Sequence, residues 1–460
     1  MAKNLLVVTL LVLACVLNGC TRSSRDSTPN VVLIIVDTLA VNHLGTYGHP
    51  SSPSPNIDKL AESGTVFEKA YTPAPWTKPA VSSVFTGVMP SMHGVKSIDD
   101  VLPESFNTLA ERLKRTDYLT AGFVSHTLIS PKLGYAQGFD TYDTVPFKGN
   151  VHSVISSEKV TDMGLDWLKS YKENYKERSD SNKFFLFLHY FDPHNNYQHH
   201  KEFDQTSWYK GDLTPGMDIR AIRAKIPNIT EDDVKYLRGL YDEEIAHTDR
   251  EIGRFLGTLK DMGLSDNTII ILTADHGEEF FDHGSIGHSR TLFDELTRVP
   301  LIISYPGKVK PQRVSEPVTT LDILPTVLDE VNLNEDRQGL AGISLKETLL
   351  EGKELPRRDI YSEVDFKSSY IKAYKISVVR GIHKAVLDKP TQSCELYDLE
   401  SDPKELSNIS SKDPALFSTL SSLVIDYQNK YQKNSQNEEM QMVPERSSEE
   451  IEQLKSLGYL

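Results

Sequence analysis

Two segments of the sequence place acidic and imidazole side chains directly after runs of apolar residues. Asp37 follows the six residues VVLIIV, and Asp275 and His276 follow the segment TIIILTA. A carboxylate in such a position is costly to bury unless it is paired or binds a metal. If both runs are neighbouring strands, these side chains would form half of a metal shell. The alternatives are a helix N-cap at Asp37 and an ordinary polar turn at the second segment.

A hydroxyl in the segment PAPWTKPAVSSVFTG is the leading candidate for a nucleophile. Thr77 lies two residues before Pro79, and proline is favoured at the first position of a helix. The hydroxyl would then sit at a helix N-terminus, where backbone N–H groups and the helix dipole favour an anion. A metal nearby would activate this hydroxyl by lowering its pKa. Taken alone, Thr77 would be read as a helix N-cap, and its place between Asp37 and Asp275-His276 makes it the nucleophile candidate.

Five apolar runs rich in β-branched and aromatic residues alternate with helical patterns. Runs of this kind are typical of strands buried on both faces. A helix is predicted over 231–262, with Thr230 and Asp233 near capping-box spacing. The alternation predicts an α/β fold with a mostly parallel central sheet and helices on both faces. Such sheets carry their sites at the carboxyl ends of strands. The predicted strands are 31–36, 119–124, 184–190, 268–273 and 301–305.

The pattern changes near residue 355. Segments 375–388 and 394–399 are predicted strands of a small C-terminal α+β subdomain, and 447–457 is a predicted short helix. The expected organisation is a signal peptide (1–19), a polar tether (20–29), a catalytic domain (30–340), a C-terminal subdomain (341–430), and a polar linker with a short C-terminal helix (431–460).

Composition is that of an ordinary globular protein. The 460 residues include 50 Lys and Arg against 65 Asp and Glu, which gives a net charge of −15, and 38% are hydrophobic. This excludes collagenous and mostly disordered chains. The acidic balance also argues against a nucleic-acid partner, which would favour a basic surface.

The N-terminal region predicts export and lipid attachment. The apolar run 5–17 is too short to span roughly 30 Å of hydrocarbon and fits a secretory signal. It ends in Leu17-Asn18-Gly19-Cys20, which resembles the bacterial lipoprotein signal, so Cys20 would carry the lipid. Thr21 favours the outer membrane of a bacterial envelope. The alternative is an ordinary cleaved signal. Cys394 would be the remaining cysteine of the mature chain.

Segments spread over nearly all of the mature chain resemble, in family order, the sulfatase branch of the alkaline phosphatase superfamily. The resemblance implies that Asp37, Asp275 and His276 are metal ligands, and that Thr77 is the nucleophile and also touches the metal. The segments are NVVLIIVDTLAVNHLGTYGHP, PNIDKLAESGTVFEKAY, the Thr77 segment, FFLFLHYFDPHNNY, ADHGEEFFDHGSIGHS, DELTRVPLII, ELYDLESDPKE and EEIEQLKSLGYL.

The same resemblance assigns roles to histidines. His194 looks like the histidine that contacts the transferred group or the leaving oxygen, and His288 lies where sulfatases place a lysine on the sulfate. Tyr197 and His283 are weaker candidates. One divalent metal is expected, with Zn²⁺ or Mn²⁺ favoured and Ca²⁺ or Mg²⁺ as alternatives. A second ion on Asp192, His194 or His288 is a further alternative.

The chain departs from the family pattern at three positions. Sulfatases carry Cys or Ser in a Cys/Ser-x-Pro-x-Arg signature that matures to formylglycine, whereas this chain has Thr77 and ends the signature in Val81. Formylglycine is therefore not expected. Lys78 could replace the lost cation and bind substrate. Thr38 stands where sulfatases have a second Asp. The ligands that remain resemble those of phosphonate-ester hydrolases and phosphoethanolamine transferases.

The departures favour phosphorus over sulfur chemistry. A Thr alkoxide can accept a phosphoryl group that water then releases, whereas a Thr sulfate ester would need attack at sulfur. The expected function is a metal-dependent hydrolase of phosphoester, phosphonoester or sulfate ester bonds, acting on an anionic ester carried by a glycan or a lipid head group. The alternatives are a phosphoethanolamine-type transferase acting on envelope glycans and a non-catalytic metal-binding lipoprotein.

Overall fold

A mostly parallel sheet runs through the centre of the protein. The computed structural model describes residues 28–145, 156–175, 183–334, 337–367, 372–432, 446–456 and 459. The strands of the first part of the chain are β1 Asn30–Val36, β2 Thr65–Tyr71, β3 Tyr118–Val124, β4 Thr141–Thr144, β5 Lys183–Tyr190, β6 Thr268–Ala274, β7 Glu279–Phe280, β8 Ile286–Gly287, β9 Arg298–Ser304, β10 Gln312–Val314 and β11 Val318–Thr319.

Within the described ranges the central sheet has nine strands in the order β10-β2-β9-β6-β1-β5-β3-β4, with β11 beside β2. Strand β1 is parallel to both neighbours, so β1, β5 and β6 all end at the same edge. Strand β9 is antiparallel to β2 and β6. The predicted α/β class is thus confirmed.

Helices cover both faces of the sheet. Alternate residues of β1 enter different cores: Val32 and Ile34 pack on one side, and Leu33 and Ile35 on the other. The helices are α1 Pro55–Glu62, α2 Thr77–Thr86, α3 Pro90–His93, α4 Leu109–Lys114, α5 Ser157–Tyr175, α6 Ile219–Ala224, α7 Glu231–Asp261, α8 Asp294–Thr297, α9 Ile323–Glu330, α10 Lys346–Glu351, α11 Pro414–Gln432 and α12 Ser448–Ser456. Helices α5 and α7 lie in the first core, and α2 and α9 in the second.

The long helix α7 agrees with its prediction. The side chain of Thr230 accepts a hydrogen bond from the backbone of Asp233, whose own side chain accepts one from the Thr230 backbone, so the capping box is complete. The hydroxyl of Tyr241, in the middle of this helix, donates to the carbonyl of Thr38, directly after β1. Helix α7 therefore supports the turn that carries Asp37.

A four-stranded antiparallel sheet forms the small C-terminal unit, as predicted. Its strands are β12 Ile360–Lys367, β13 Lys372–Arg380, β14 His383–Asp388 and β15 Ser393–Asp398. Helix α11 packs on this sheet. Leu345 and Leu349, which follow the expected boundary at 341, pack in the core of the main sheet. The boundary itself stays a prediction.

Several elements gave no clear signal in the sequence. Strands β2, β4, β10 and β11 were not predicted, and β9 begins three residues before the predicted strand 301–305. Cys20, the signal peptide and most of the linker 431–460 lie outside the described residues. Across the described ranges, no helix combines the length and apolarity needed to cross a membrane.

Candidate active site

Asp37 and Asp275 meet at the carboxyl edge of the central sheet. The register pairs Val36 with Ala274, so the next residue of each strand reaches the same place. The backbone N–H of Thr38 donates to Oδ1 of Asp275 over 3.2 Å. Thr38 has a φ of 56°, a strained value for a β-branched residue. This turn brings two buried carboxylates together.

His276 presents one ring nitrogen to these carboxylates. Its Nδ1 lies 2.9 Å from the carbonyl of Gly277, so Nδ1 carries the proton and donates. Nε2 lies 3.6 Å from Oδ1 of Asp37 and 3.6 Å from Oδ2 of Asp275. The lone pair of Nε2 is therefore available as a metal ligand between the two carboxylates.

The donor set fits a divalent metal. Both side-chain oxygens of Asp37 and Oδ2 of Asp275 are buried, and the described residues bring no donor to them in normal hydrogen-bond geometry. Burial, reinforced by the charges of Asp275 and Glu278, raises the pKa of Asp37. A cation among these oxygens would remove that penalty. Asp37, Asp275, His276 and Thr77 would hold it.

Thr77 is the first residue of helix α2 and is fully buried. Its Oγ1 lies 3.4 Å from Nε2 of His276. The helix starts two residues earlier than Pro79 suggested, because Trp76 with its extended backbone is the N-cap. Thr77 is thus not the N-cap, and its hydroxyl is left facing the carboxylates and His276.

Lys78 does not reach this centre. Its amine donates to the carbonyl of Ile98 over 2.8 Å, and its charged neighbours are Asp100, Arg446 and Asp99. Burial lowers the pKa of Lys78 to about 7. The expectation that Lys78 replaces the missing arginine on substrate is therefore corrected. Val81 packs in the core between α2 and the sheet.

His194 and His288 adjoin the metal candidates. The ring of His288 lies 4.4 Å from that of His276 and 4.8 Å from that of His194, centre to centre. Nδ1 of His288 is 3.1 Å from Oε1 of Glu278. Burial, followed by the neighbouring His276 ring and the guanidinium of Arg223, holds the pKa of His288 well below its usual range. His288 is therefore a neutral imidazole with a fixed orientation.

Four residues at the centre carried no predicted role. His189 lies with Asp37 and Asp275 in a group that could hold a metal, and Nε2 of His126 lies 3.8 Å from Oδ2 of Asp37. Glu278 and Tyr459 flank His288. His189 was not predicted because it lies within a strand, whereas the expected metal ligands follow the ends of strands.

The two weaker candidates, Tyr197 and His283, lie in different parts of the structure. Tyr197 is buried beside Glu278 and Tyr241, so it lines the same region. Nδ1 of His283 instead pairs with Glu295 at 2.7 Å, and Nε2 of the same ring lies 3.4 Å from the carbonyl of Glu405 in the C-terminal unit. Its contacts join two parts of the fold.

Comparison with known proteins gives a consistent picture. The model of the family described as Sulfatase matches residues 29–333, and the model described as N-sulphoglucosamine sulphohydrolase, C-terminal, matches residues 281–434. An arylsulfatase of Clostridium perfringens is 28% identical over 83% of this chain and 90% of its own length. A choline-sulfatase of Rhizobium meliloti is 26% identical over 83% of this chain and 82% of its own length.

Solved structures share the fold. A 2-O GAG sulfatase superposes with a TM-score of 0.74 at 22% identity, covering 90% of this chain and 95% of its own. A phosphonate monoester hydrolase of Agrobacterium radiobacter gives a TM-score of 0.69 at 22% identity, covering 88% and 96%. A third structure, solved in complex with its substrate D-glucosamine-2-N,6-O-disulfate, gives 0.71 at 20% identity, covering 90% and 100%.

Proposed function

The chain belongs to the sulfatase family of ester hydrolases, and we propose that it hydrolyses anionic phosphorus esters with Thr77 as an unmodified, metal-assisted nucleophile. The observation that carries the proposal is the position of the Thr77 hydroxyl, 3.4 Å from Nε2 of His276 at the start of a helix and beside Asp37. Backbone N–H groups at that helix start favour the anionic group that Thr77 would attack.

Different residues of the site act in the successive steps of the proposed reaction. The oxygen of Thr77 bonds to phosphorus as the bond from phosphorus to the leaving oxygen breaks, and the proton lost by Thr77 ends on the leaving oxygen. His194 and His288, whose rings lie 4.8 Å apart, would contact the transferred group or the leaving oxygen. Water then attacks phosphorus, the bond to Thr77 breaks, and the hydroxyl is restored. A bound divalent ion supplies Lewis-acid activation of the hydroxyl and neutralises charge on the transferred group.

Phosphorus esters are favoured over sulfate esters because the site lacks formylglycine and two charged residues of the sulfatase pattern. A threonine cannot release sulfate by the elimination open to a formylglycine hydrate. Val81 and Thr38 also replace an arginine and an aspartate of the sulfatase pattern. Sulfate esters are the second candidate, because curated relatives such as the Clostridium perfringens protein are arylsulfatases.

A matched pair of chromogenic esters tests the proposal. The metal-reconstituted protein would be given p-nitrophenyl phenylphosphonate and p-nitrophenyl sulfate. We expect a higher kcat/KM for the phosphonate, and faster turnover of the sulfate by the unmodified protein would reverse the order. Absence of turnover with both, and with phosphate mono- and diesters, would favour a non-catalytic binding protein.

The natural substrate is proposed to be an ester on a glycan or lipid head group. A structural relative bound to a sulfated sugar supports a glycan. Transfer to a glycan acceptor in place of water would leave the groups around Thr77 unchanged, so product analysis with and without an acceptor separates a transferase from a hydrolase.

A lipid anchor at Cys20 in a bacterial outer membrane is the proposed location, supported by the segment Leu17-Asn18-Gly19-Cys20. Cys20→Ser should shift the protein out of the detergent phase. Unchanged partitioning would contradict the anchor.

A further inference from the structure

The loop that carries His288 displays polar atoms without partners. Oγ of Ser289, Nε of Arg290 and Oγ1 of Thr291 are all buried, and the described residues offer none of them a hydrogen-bond partner. Ser289 adopts a φ of 73°, and its backbone N–H donates to the carbonyl of Pro75, two residues before Thr77. Three unsatisfied buried polar atoms in a row require an explanation, because each carries a desolvation cost.

A second guanidinium lies against the same loop. Nε and Nη2 of Arg223, in helix α6, donate to the carbonyl of Ile286 over 3.0 and 2.8 Å. A Cβ on Gly287 would lie 2.4 Å from Nη2 of Arg223. Gly287, with a φ of 95°, therefore lets this cation approach the backbone immediately before His288.

The two cations are not neutralised by ion pairs. Glu278 and Glu279 are the acidic neighbours that act on these arginines. Oε1 of Glu278 contacts His288, and Oε1 of Glu279 accepts from the backbone N–H groups of Ser285 and His283. None of the described carboxylates lies within 4.0 Å of either guanidinium. Burial lowers the pKa of Arg223 to about 10, with the charge of Arg290 as the next cause. Two partly desolvated like charges repel each other unless an anion lies between them.

We propose that Arg223 and Arg290 form a second anion-binding subsite beside the reaction centre, and that the substrate carries a further anionic group next to the ester. This inference rests on the proposed function, because it places the second anion on the same substrate. Guanidinium groups bind carboxylate and sulfate through paired N–H donors. Since the chain carries a net charge of −15, a multiply charged glycan needs such local cations to bind.

Matched sugar esters that differ by one anion provide the test. The probes are N-acetyl-D-glucosamine 6-O-sulfate and D-glucosamine-2-N,6-O-disulfate, the corresponding pair of 6-phosphates, and a 6-sulfated disaccharide with and without a uronate carboxylate. The N-sulfated and uronate arms distinguish a sulfate from a carboxylate as the second anion. We expect the wild-type protein to prefer the probe with the extra anion in at least one arm by about ten-fold in kcat/KM, the value of one charge-assisted hydrogen bond.

Arg290→Gln is the informative variant. It should lower kcat/KM for the doubly charged probe about ten-fold more than for its singly charged partner. The control is Arg313→Gln, which removes the same charge from an exposed arginine paired with Glu68 and should leave the preference intact. Equal losses for both probes in Arg290→Gln, or no wild-type preference in any arm, would overturn the subsite.

Binding separates this inference from the proposed function. If none of the sugar esters is turned over, calorimetric titration of the same probes into metal-reconstituted wild-type and Arg290→Gln protein measures the subsite directly. A preference for the doubly charged probe that disappears in the variant supports the subsite even if the proposed chemistry is wrong. Equal affinity of the wild-type protein for both probes contradicts it.

Discussion

The hydroxyl of Tyr459 lies 3.1 Å from Nε2 of His288, although the two residues are 171 positions apart in the sequence. Because Nδ1 of His288 faces Glu278, the imidazole is held between a carboxylate and a phenol. Tyr459 also interacts with the hydroxyl of Thr77. Leu454 in helix α12 packs in the same cluster as Tyr459 and Trp76, so a segment far from the catalytic strands forms one wall of the site.

Replacing Tyr459 by Phe should impair the reaction without unfolding the protein. The aromatic packing against Trp76 and Phe366 is kept, but His288 loses a hydrogen-bond partner beside Thr77. We expect kcat/KM to fall by about ten-fold or more, since a buried hydrogen bond of this kind is worth about 1 to 2 kcal/mol. Steady-state kinetics and thermal melting provide the measurement.

Tyr427→Phe is the matched control for that change. The hydroxyl of Tyr427 is buried against Oγ of Ser91, in the C-terminal unit, and has no contact with His288. It should alter stability only modestly and leave kcat/KM at the wild-type value. If both variants lose activity equally, the role assigned to the Tyr459 hydroxyl is wrong.

Metal content should depend on the cluster at the strand ends. Asp275→Ala, Asp37→Ala and His276→Ala each remove one ligand, so each should reduce bound metal and lower the melting temperature of metal-loaded protein. Elemental analysis of purified protein gives the stoichiometry, and we expect one divalent ion per chain. An Asp275→Ala protein that still binds a full equivalent would contradict the assignment.

His49→Ala is the control for metal binding. His43, His49 and Asp242 form another group with metal-ligand geometry, but Nδ1 of His43 and Oδ1 of Asp242 are 2.5 Å apart and satisfy each other. His49→Ala should therefore retain the metal. Loss of half of the bound metal in this variant would indicate a second ion.

The sequence predicted the central sheet because its strands are buried on both faces and read as continuous apolar runs. It also placed Asp37, Asp275 and His276 correctly at one edge, since residues after parallel strands must converge there. Lys78 was misjudged because its neighbour Thr77 begins the helix, which turns the amine toward Ile98. No local sequence pattern indicates the direction in which the Lys78 side chain points.

Tyr459 and Arg223 show what the sequence could not supply. Tyr459 contacts His288, and Arg223 donates to the carbonyl of Ile286, two residues before His288. Both contacts depend on tertiary packing, and neither residue follows a strand or belongs to a periodic pattern. Strand β2 was missed for a related reason: it mixes Glu68 and Lys69 with apolar residues and is defined by its pairing with β9 and β10.

Lys384 should be a major contributor to the junction between the small sheet and the main domain. Its fully buried amine lies 2.9 Å from Oδ1 of Asp294 and 3.0 Å from Oε1 of Glu405. Lys384→Met leaves two carboxylates buried without a cation, which should cost about 3 to 5 kcal/mol. Denaturant unfolding would measure the loss.

The comparison variant is Lys389→Met, which breaks a partly exposed pair with Asp365 in the same small unit. Its cost should be at most about 1 kcal/mol. Similar losses in both lysine variants would show that the Lys384 cluster contributes no more to the free energy of unfolding than a partly exposed ion pair does.

His283 predicts a pH-dependent contribution to stability. Burial lowers the pKa of His283, but the hydrogen bond and charge of Glu295, together with the carbonyl and charge of Glu405, outweigh burial and raise the pKa to about 9. Because the folded pKa lies above the unfolded value near 6.5, the stabilisation is fully present below pH 6.5 and is lost as the pH rises through about 9. The melting temperature of His283→Gln should therefore fall below that of the wild type at pH 6 and approach it at pH 9.5. A constant difference across this range would contradict the ion pair.

Turnover of p-nitrophenyl phenylphosphonate by metal-loaded Thr77→Ala protein tests the central claim most directly. Thr77 makes no cap bond, so the variant should fold. Because Thr77 is also a candidate ligand, the metal content of the variant is measured and turnover is expressed per bound metal ion. If the Thr77 oxygen is the nucleophile, kcat/KM should fall by at least about 10³-fold, while Thr77→Ser keeps part of the activity because it keeps the hydroxyl. Thr77→Ala activity within about ten-fold of the wild type would contradict the account and assign the attack to water.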